Sequence, residues 1–464
     1  MKVFPCLLAI SFCYGFVSAE DTRPNILFIF ADDWGWGDLG CHGHPYVKTP
    51  NIDRLAEEGT DFTRFTVASG VCSPSRTAVM TGHFPARYSI DGHFAWVPSN
   101  AKRGMPDWLD TNAPSLPRFL QESGYATAHF GKWHLANNMI PDSPTPAAYG
   151  YDEYGAFNCS GEQMPVHEDA MHTNAFIEGA VAAGKPFFVN LWIHEPHTPF
   201  HTVPKYEWRF REMEEESRAD QIYASVLSHA DDRIGEVLDK LDDLGITENT
   251  LVIFSSDNGP ARGSANAELA LHYDTATGAG WGIGAAKGVT AGRKGYKASL
   301  FEGGINVPFL ARWPGKIAAG EVDDQSLISA VDLLPTFLEL AGVSLPDDYA
   351  PDGESQVAVL KGEPIETREK PLFWKSLSRW PASEAKPDHW VSYAVVHDRW
   401  KLVTNTDRSY VELYDLVADP LEATDLKGSK PEVVDDLLTQ IGAWIETLPD
   451  GPSGDVFSAE RQEL

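Results

Sequence analysis

Asn25-Ile26-Leu27-Phe28-Ile29-Phe30-Ala31-Asp32-Asp33 is an apolar run that ends on two carboxylates. A strand with one face in water alternates apolar and polar side chains, so a short run without alternation is a strand buried on both faces, as in a parallel sheet. Runs of this kind recur at residues 125–130, 186–193, 251–254 and 307–311. Segments of helical spacing lie between them; in the clearest, Ile234, Val237, Leu238 and Leu241 share one face. Strands that alternate with helices predict an α/β fold with a large mixed, mostly parallel sheet flanked by helices.

Polar residues cluster just past the runs: Asp32 and Asp33 after the first, Lys132 and His134 after the second, His194 after the third, Asp257 and Asn258 after the fourth. The carboxyl ends of strands in an open parallel sheet line one crevice, where ligands bind. Asp32, Asp33, Asp257 and Asn258 are hard oxygen donors, suited to Ca²⁺, with Mg²⁺ as the alternative, and poorly suited to zinc. An Asp pair after a strand also makes a turn or a helix cap. The second acidic cluster at an equivalent strand end favours the metal.

Near residue 371 the pattern changes to short strands and turns. Residues 391–396, 399–404 and 410–416 read as an antiparallel meander. Val434, Leu437, Leu438, Ile441, Ile445 and Leu448 form one stripe of a closing helix, with Ser429 and Glu432 spaced as a capping box. The expected division is a leader over 1–19, a catalytic α/β domain over 20–370 and a C-terminal subdomain of antiparallel sheet plus helix over 371–464. The tail after Pro449 is polar and expected to be loose.

Lys2, the apolar residues that follow it and the small residues ending at Ala19 predict a secretory signal cleaved near Ala19, hence a secreted or periplasmic protein. No later run has the length of a membrane span, so no stable membrane anchor is expected. Acidic residues number 67 against 37 basic, a net charge of −30, and loss of the leader, charged only at Lys2, makes it one unit more negative. Nucleic acid is therefore excluded as a partner. An anionic substrate would have to be attracted locally, because physiological salt screens charges beyond about 8 Å; such a balance fits a salty environment such as seawater. Of five cysteines, Cys6 and Cys13 leave with the leader. Cys41, Cys72 and Cys159 remain, an odd number where disulfides persist, so at least one has another task. Whether Cys41 and Cys159 pair stays open.

The sharpest local pattern is Cys72-Ser73-Pro74-Ser75-Arg76, followed by Thr77, Ala78, Val79, Met80, Thr81 and Gly82. Pro74 fits the first turn of a helix, whose N-terminus favours an anion. A lone cysteine there is ordinarily structural; its Pro and Arg neighbours and the odd cysteine count argue otherwise. This order, with Thr81-Gly82 behind it, resembles the signature of type I, formylglycine-dependent sulfatases, whose fold is similar to alkaline phosphatase. The resemblance spans nearly the whole chain after the leader. It takes in Thr49-Pro50-Asn51-Ile52-Asp53, Gly131-Lys132-Trp133-His134, His194-Glu195-Pro196-His197, Asp257-Asn258-Gly259, Lys297 ahead of Glu302-Gly303-Gly304, and Trp400-Lys401-Leu402, Leu413-Tyr414-Asp415-Leu416 and Asp419-Pro420.

The resemblance implies that Cys72 is converted to formylglycine by a formylglycine-generating enzyme or an anaerobic maturase, and that its hydrated aldehyde attacks sulfur. It implies that Asp32, Asp33, Asp257 and Asn258, with residue 72, hold one Ca²⁺, and that Arg76 and Lys132 orient the nucleophile and the sulfate oxygens. His134 becomes the base for collapse of the sulfated intermediate. His194 and Lys297 contact sulfate, with His194 favoured for protonating the leaving oxygen. His93 and His197 are candidate substrate contacts. Three carboxylates with Ca²⁺ leave one negative charge, which Arg76, Lys132 and Lys297 turn into a local positive well.

The expected activity is hydrolysis of sulfate monoesters on a sulfated carbohydrate, with marine algal polysaccharides such as ulvan or carrageenan fragments as the substrate guess. Alternatives are a phosphate or phosphonate monoester hydrolase of the same fold and a non-catalytic protein that binds sulfated glycans. Cys41, His42 and His44 resemble a zinc cluster only superficially, since no second ligand pair has the spacing. Trp34, Trp36, Trp96, Trp108 and Trp281 lie outside the strand runs and serve either carbohydrate stacking or loop packing. Residues 261–295, rich in Gly and Ala, read as a long loop ahead of Lys297.

Overall fold

Along the strand Asn25–Ala31, Ile26, Phe28 and Phe30 enter one hydrophobic core, and Leu27, Ile29 and Ala31 enter a second on the opposite face. That division is why the run has no polar alternation. The computed structural model describes residues 23–463 except 212, 214–215, 264–268, 283–286, 364–367 and 377–390. The expected leader, 1–19, lies outside the described residues.

The strand sits inside an eight-stranded sheet in the order Glu321–Asp323, Thr60–Phe62, Phe309–Arg312, Thr250–Ser256, Asn25–Ala31, Phe187–Trp192, Ala126–Lys132, Glu153–Phe157. The five strands from Thr250–Ser256 to Glu153–Phe157 pair in parallel, and Phe309–Arg312 runs antiparallel to both of its neighbours. The sheet is therefore mixed and mostly parallel, as the sequence predicts. The helices Pro50–Glu57, Asp169–Ala182 and Arg218–Asp243 cover one face, and Cys72–Thr81 and Leu333–Leu340 cover the other. Each fully buried Leu, Ile or Phe on these faces contributes roughly 1.5–3 kcal/mol, so the sheet is a rigid base for whatever its strand ends carry. Arg218–Asp243 begins where the Ser217 side chain accepts the Asp220 N–H, and the chain leaves it through Gly245 at φ 67°.

The strands Leu372–Lys375, Tyr393–His397, Trp400–Thr404 and Val411–Asp415 form a separate antiparallel sheet, and the helix Pro431–Glu446 packs on it. Trp374 ties this sheet to the segment that leads into the helix Cys72–Thr81 by donating its Nε1–H to Val67 O at 2.7 Å. Three local expectations are corrected. The closing helix starts with Pro431 in its first turn and has no side-chain cap; the Ser429 hydroxyl bonds Leu426 O instead, so the capping box is absent. The stretch 261–295 is no plain loop, because Leu271–Asp274 and Gly278–Trp281 form a hairpin. The tail docks rather than dangles: Asp107 N–H and Trp108 Nε1–H donate to Val456 O and Asp455 O, and Arg461 pairs with Asp107. Among the described residues, no helix is long and apolar enough to cross a membrane.

Candidate active site

Register alone gathers the strand-end residues. Ala31 pairs with Ser256, Ile29 with Leu191 and Gly131 with Trp192, so residues 32, 132, 194 and 257 all emerge at one edge of the sheet. The ends are locked together: Asp257 N–H donates to Ala31 O at 3.0 Å, Asp33 N–H to Asp257 Oδ1 at 3.2 Å, and Trp34 N–H to Ser256 Oγ at 2.8 Å. Asp33 has φ 68° and His134 φ 52°, left-handed conformations that cost a non-glycine residue energy and concentrate at functional sites. Glycine is required at 259, where a Cβ would fall 2.0 Å from Gly303 O; this close approach brings Glu302-Gly303-Gly304 beside Asp257-Asn258.

Cys72 opens the helix Cys72–Thr81 after an extended Val71, so its side chain sits at a helix N-terminus buried under the strand ends. Arg76, one turn along, is completely buried. It grips Asp257 Oδ2 through Nε at 3.1 Å and Nη2 at 2.7 Å, donates to Lys132 O at 3.0 Å, and lies over the Trp192 ring at 4.9 Å. Lys132 Nζ stands 2.5 Å from Asp32 Oδ2 and 3.6 Å from Cys72 Sγ. Lys297 Nζ lies 2.6 and 2.8 Å from the two Asp33 oxygens. His197 Nε2 is 3.9 Å from Asp33 Oδ2. The structure thus brings together Asp32, Asp33, Cys72, Arg76, Lys132, His197, Asp257, Asn258 and Lys297.

The two proton-transfer candidates flank this group. His134 Nε2 meets Phe94 O at 3.0 Å and His194 Nε2 meets Pro199 O at 3.1 Å. The Nδ1 atom of each is buried with no hydrogen-bond partner among the described residues. His93 stands beside them, its ring 6.2 Å from that of His134.

Charge is balanced tightly here. Burial works to raise the Asp32 carboxyl, but His197, Lys132, Arg76 and Lys297 hold it well below the usual carboxylate range. Asp257, buried and beside Asp32, is pushed up to about 7 despite Arg76. Burial is the larger cause of that upward push and the Asp32 charge the second, while the guanidinium contact at 2.7 and 3.1 Å and the Lys132 charge oppose both. Burial pushes the Cys72 thiol up to about 12 and lowers the imidazoles of His134, His194 and His197. Lys132 and Lys297 are held protonated by Asp32 and Asp33 against the cost of their own burial.

The residues fit a hard cation. Ligand atoms of Asp32, Asp33, Cys72 and His197 lie within 4.8 Å of one another. Asp32 Oδ1 and Asn258 Oδ1 are buried without a hydrogen-bond partner among the described residues, an arrangement that costs roughly 1–3 kcal/mol per acceptor unless something else binds there. A divalent ion would satisfy both oxygens and relieve the crowding of Asp32 and Asp257.

Other candidates fall outside. Cys41 is exposed, His42 is bound to Asp61 at 2.7 Å and to Trp36 O, and His44 Nδ1 accepts the Val47 N–H, so they form no zinc cluster. Cys41, Cys72 and Cys159 are all free thiols. Trp34 and Trp108 are core residues, and Trp36 lies under Arg293 at 3.7 Å; Trp96 is 56 % exposed. Sequence reasoning missed Glu195, which with Asp169 clasps Arg233 below the His194 loop at 2.6 and 3.0 Å. It also missed Ser73, whose hydroxyl accepts the Phe94 N–H at 2.9 Å and ties the His93 segment to the cysteine helix. The run His194, His197, His201 was the available signal for a polar loop of this kind.

Residues 24–343 match the family described as "Sulfatase", and residues 294–446 match "N-sulphoglucosamine sulphohydrolase, C-terminal". The chain is 33% identical over 391 residues to the N-acetylgalactosamine-6-sulfatase of Canis lupus familiaris, covering 76% of this chain and 68% of that protein. It is 27% identical over 511 residues to the N-acetylgalactosamine-6-O-sulfatase of Bacteroides thetaiotaomicron, covering 89% and 92%. Among solved structures, Ps i-CgsB in complex with k-i-k-neocarrahexaose superposes with a TM-score of 0.74 at 26% identity, covering 91% of this chain and 92% of that one.

Proposed function

Because the chain belongs to the sulfatase family and is a sulfuric ester hydrolase, we propose that it removes sulfate from a sulfated poly- or oligosaccharide, using Cys72 oxidised to formylglycine and one bound Ca²⁺. The observation that carries this reading is the position of Cys72 Sγ at a helix N-terminus, 3.6 Å from Lys132 Nζ and grouped with Asp32, Asp33 and His197. Asp32, Asp33, Asp257, Asn258 and residue 72 would hold the cation, which would supply a fixed double charge beside the nucleophile; the aldehyde hydrate would supply one hydroxyl to attack sulfur and a second to eliminate sulfate. Cys72 is only 2 % exposed, so a maturase reaches it before the fold closes.

The side chains divide the remaining work. Arg76 holds Asp257 in place, and Lys132 places a positive charge against the reacting group, where a water-poor setting strengthens it. Lys297, kept protonated by Asp33, neutralises sulfate oxygens at the mouth. His134 Nδ1, neutral through burial, takes the proton that allows sulfate to leave. His194 Nδ1 protonates the departing sugar oxygen; the negative charge that substrate brings raises an imidazole that burial alone lowers. His93 and His197 contact the sugar.

Support for a glycan comes from the names of the relatives and from the exposed Trp96 near His93. Candidate substrates are N-acetylgalactosamine 6-sulfate and carrageenan or ulvan fragments of marine origin. Two measurements test the proposal: mass spectrometry of the peptide bearing residue 72 from the native host, and sulfate release from these oligosaccharides beside kcat/KM for nitrophenyl sulfate and nitrophenyl phosphate. Unmodified cysteine with no turnover, or phosphate preferred over sulfate, would refute it.

A further inference from the structure

Arg103 ends the short helix Val97–Lys102 on the His93 side of the site. Its Nε donates to Ser99 O at 3.1 Å and its Nη2 to Asn100 Oδ1 at 2.8 Å. No carboxylate pairs with it among the described residues, although the chain carries 67 acidic side chains against 37 basic ones. Asp107, which the Asn100 amide reaches at 3.3 Å, is already taken by Arg461 and by the Ser458 N–H and hydroxyl. A half-buried guanidinium without a counter-ion in an acidic protein has part of its hydration removed and only two neutral acceptors in return.

The chain that carries Arg103 is fastened to the reacting groups. Phe94 N–H donates to Ser73 Oγ, next to Cys72, and Phe94 O receives His134 Nε2 and Asn137 Nδ2. Ala95 exchanges two hydrogen bonds with the Asn100 side chain, each 2.9 Å, and the same Asn100 oxygen receives Arg103 Nη2. Arg103 is therefore placed through one side chain on a segment clamped to both the nucleophile helix and His134. Trp96, between the clamp and the helix, offers a ring that is 56 % exposed. Burial and the nearby charges of Arg103, Lys297 and Lys132 press the His93 imidazole down to about 3, which puts all three cations within electrostatic reach of one ring.

We infer that Arg103 and Trp96 form a second subsite beside the sulfate position, in which the guanidinium binds a further anionic group of the substrate, a sulfate or a carboxylate on the same or the adjoining sugar, and the indole stacks on a sugar face. Arg suits this because its planar fork pairs with two oxygens of such a group. The inference deepens the glycan reading above and rests on it. Lys297 and Lys132 are already engaged with Asp33 and Asp32, whereas Arg103 is bonded only to neutral oxygens. It is thus a cation with charge to spare for a ligand.

The test compares Arg103→Ala and Arg103→Lys with the parent on nitrophenyl sulfate, on a monosulfated oligosaccharide, and on oligosaccharides of the same length with a second sulfate or a uronate. Arg103→Ala is expected to raise KM for the substrates with a second anion about tenfold more than for the other two, with Arg103→Lys in between and the differential shrinking in high salt. Whichever of the two anions shows the larger differential identifies the group recognised. Calorimetric binding of the same oligosaccharides to a Cys72→Ala protein, with and without Arg103→Ala, keeps the subsite testable without turnover. Binding there that depends on Arg103 sustains the subsite even if hydrolysis of the glycan fails. Equal KM changes for all substrates, together with binding indifferent to Arg103→Ala, would overturn it.

Discussion

Arg76 and Asp257 are joined at two points, Nε and Nη2 reaching Oδ2 at 3.1 and 2.7 Å, and neither side chain touches solvent. The pair links the cysteine helix to the strand end that carries Asn258. Removing the guanidinium leaves Asp257 buried beside Asp32 with only the more distant charge of Lys132 to oppose it. Arg76→Lys keeps the charge but loses the two-point geometry, and it is expected to cost on the order of 3 kcal/mol in barrier, about 10²-fold in kcat/KM. Full activity in that variant, measured on nitrophenyl sulfate, would count against the role given to Arg76.

Cys72→Ser places a hydroxyl where the hydrate would stand. It can attack sulfur but has no second oxygen with which to expel sulfate. The variant is expected to be inert or to retain a stable sulfate ester, seen as added mass on the intact protein. Sustained turnover would defeat the aldehyde mechanism.

Removal of the cation should leave Asp32 Oδ1 and Asn258 Oδ1 buried and unsatisfied and Asp32 and Asp257 crowded. Exhaustive chelation is expected to lower both activity and Tm, with Ca²⁺ restoring both more effectively than Mg²⁺, because an ion that binds only the folded chain stabilises it by mass action. A Tm indifferent to chelator and to added Ca²⁺ would argue that no ion resides there.

In the proposed mechanism His134 can serve as the base only when neutral. Burial first, and Lys132 second, hold its imidazole well below the ordinary 6.5. The acid limb of the pH profile for kcat/KM is therefore expected below that value. A limb at or above it would remove His134 from the base role.

Asp231 illustrates linkage away from the site. Its oxygens accept the N–H groups of Asn51 and Ile52 at 3.2 and 2.8 Å, capping the helix Pro50–Glu57, yet burial pushes its carboxyl from 3.8 to about 7. The folded chain keeps a proton that the unfolded chain has released, so this contribution to stability is full below the unfolded value near 4 and is lost as pH rises through about 7. Asp231→Asn removes the titration, and calorimetric Tm should then depend less on pH across that window. An identical slope in parent and variant would show that another group sets it.

Much of the site could be read in one dimension. Asp32, Asp33, Lys132, His134, His194, Asp257 and Asn258 each follow an apolar run, and a parallel sheet must deliver the ends of its strands to one edge. Lys297 was visible only through resemblance, because it reaches Asp33 from a loop with no strand to announce it. The capping box at Ser429 failed because Pro431 sets where that helix begins and the Ser429 hydroxyl finds a carbonyl instead. Polar composition predicts a loose tail, whereas the tail docks, because composition says nothing about partners far away in sequence, here Asp107 and Trp108.

What the amino-acid order determined was periodicity and chemistry: unbroken apolar runs demand two-sided burial, and the oxygen donors, cations and cysteine name a hard-metal, anion-handling site. What only the tertiary structure decided was pairing at a distance. Which carboxylate each cation holds, which histidine nitrogens remain without partners, and that Arg103 lies on a segment clamped to Ser73 and His134 all depend on contacts between residues far apart in the chain. Such contacts follow from how the packed elements meet, and local sequence pattern carries no record of that.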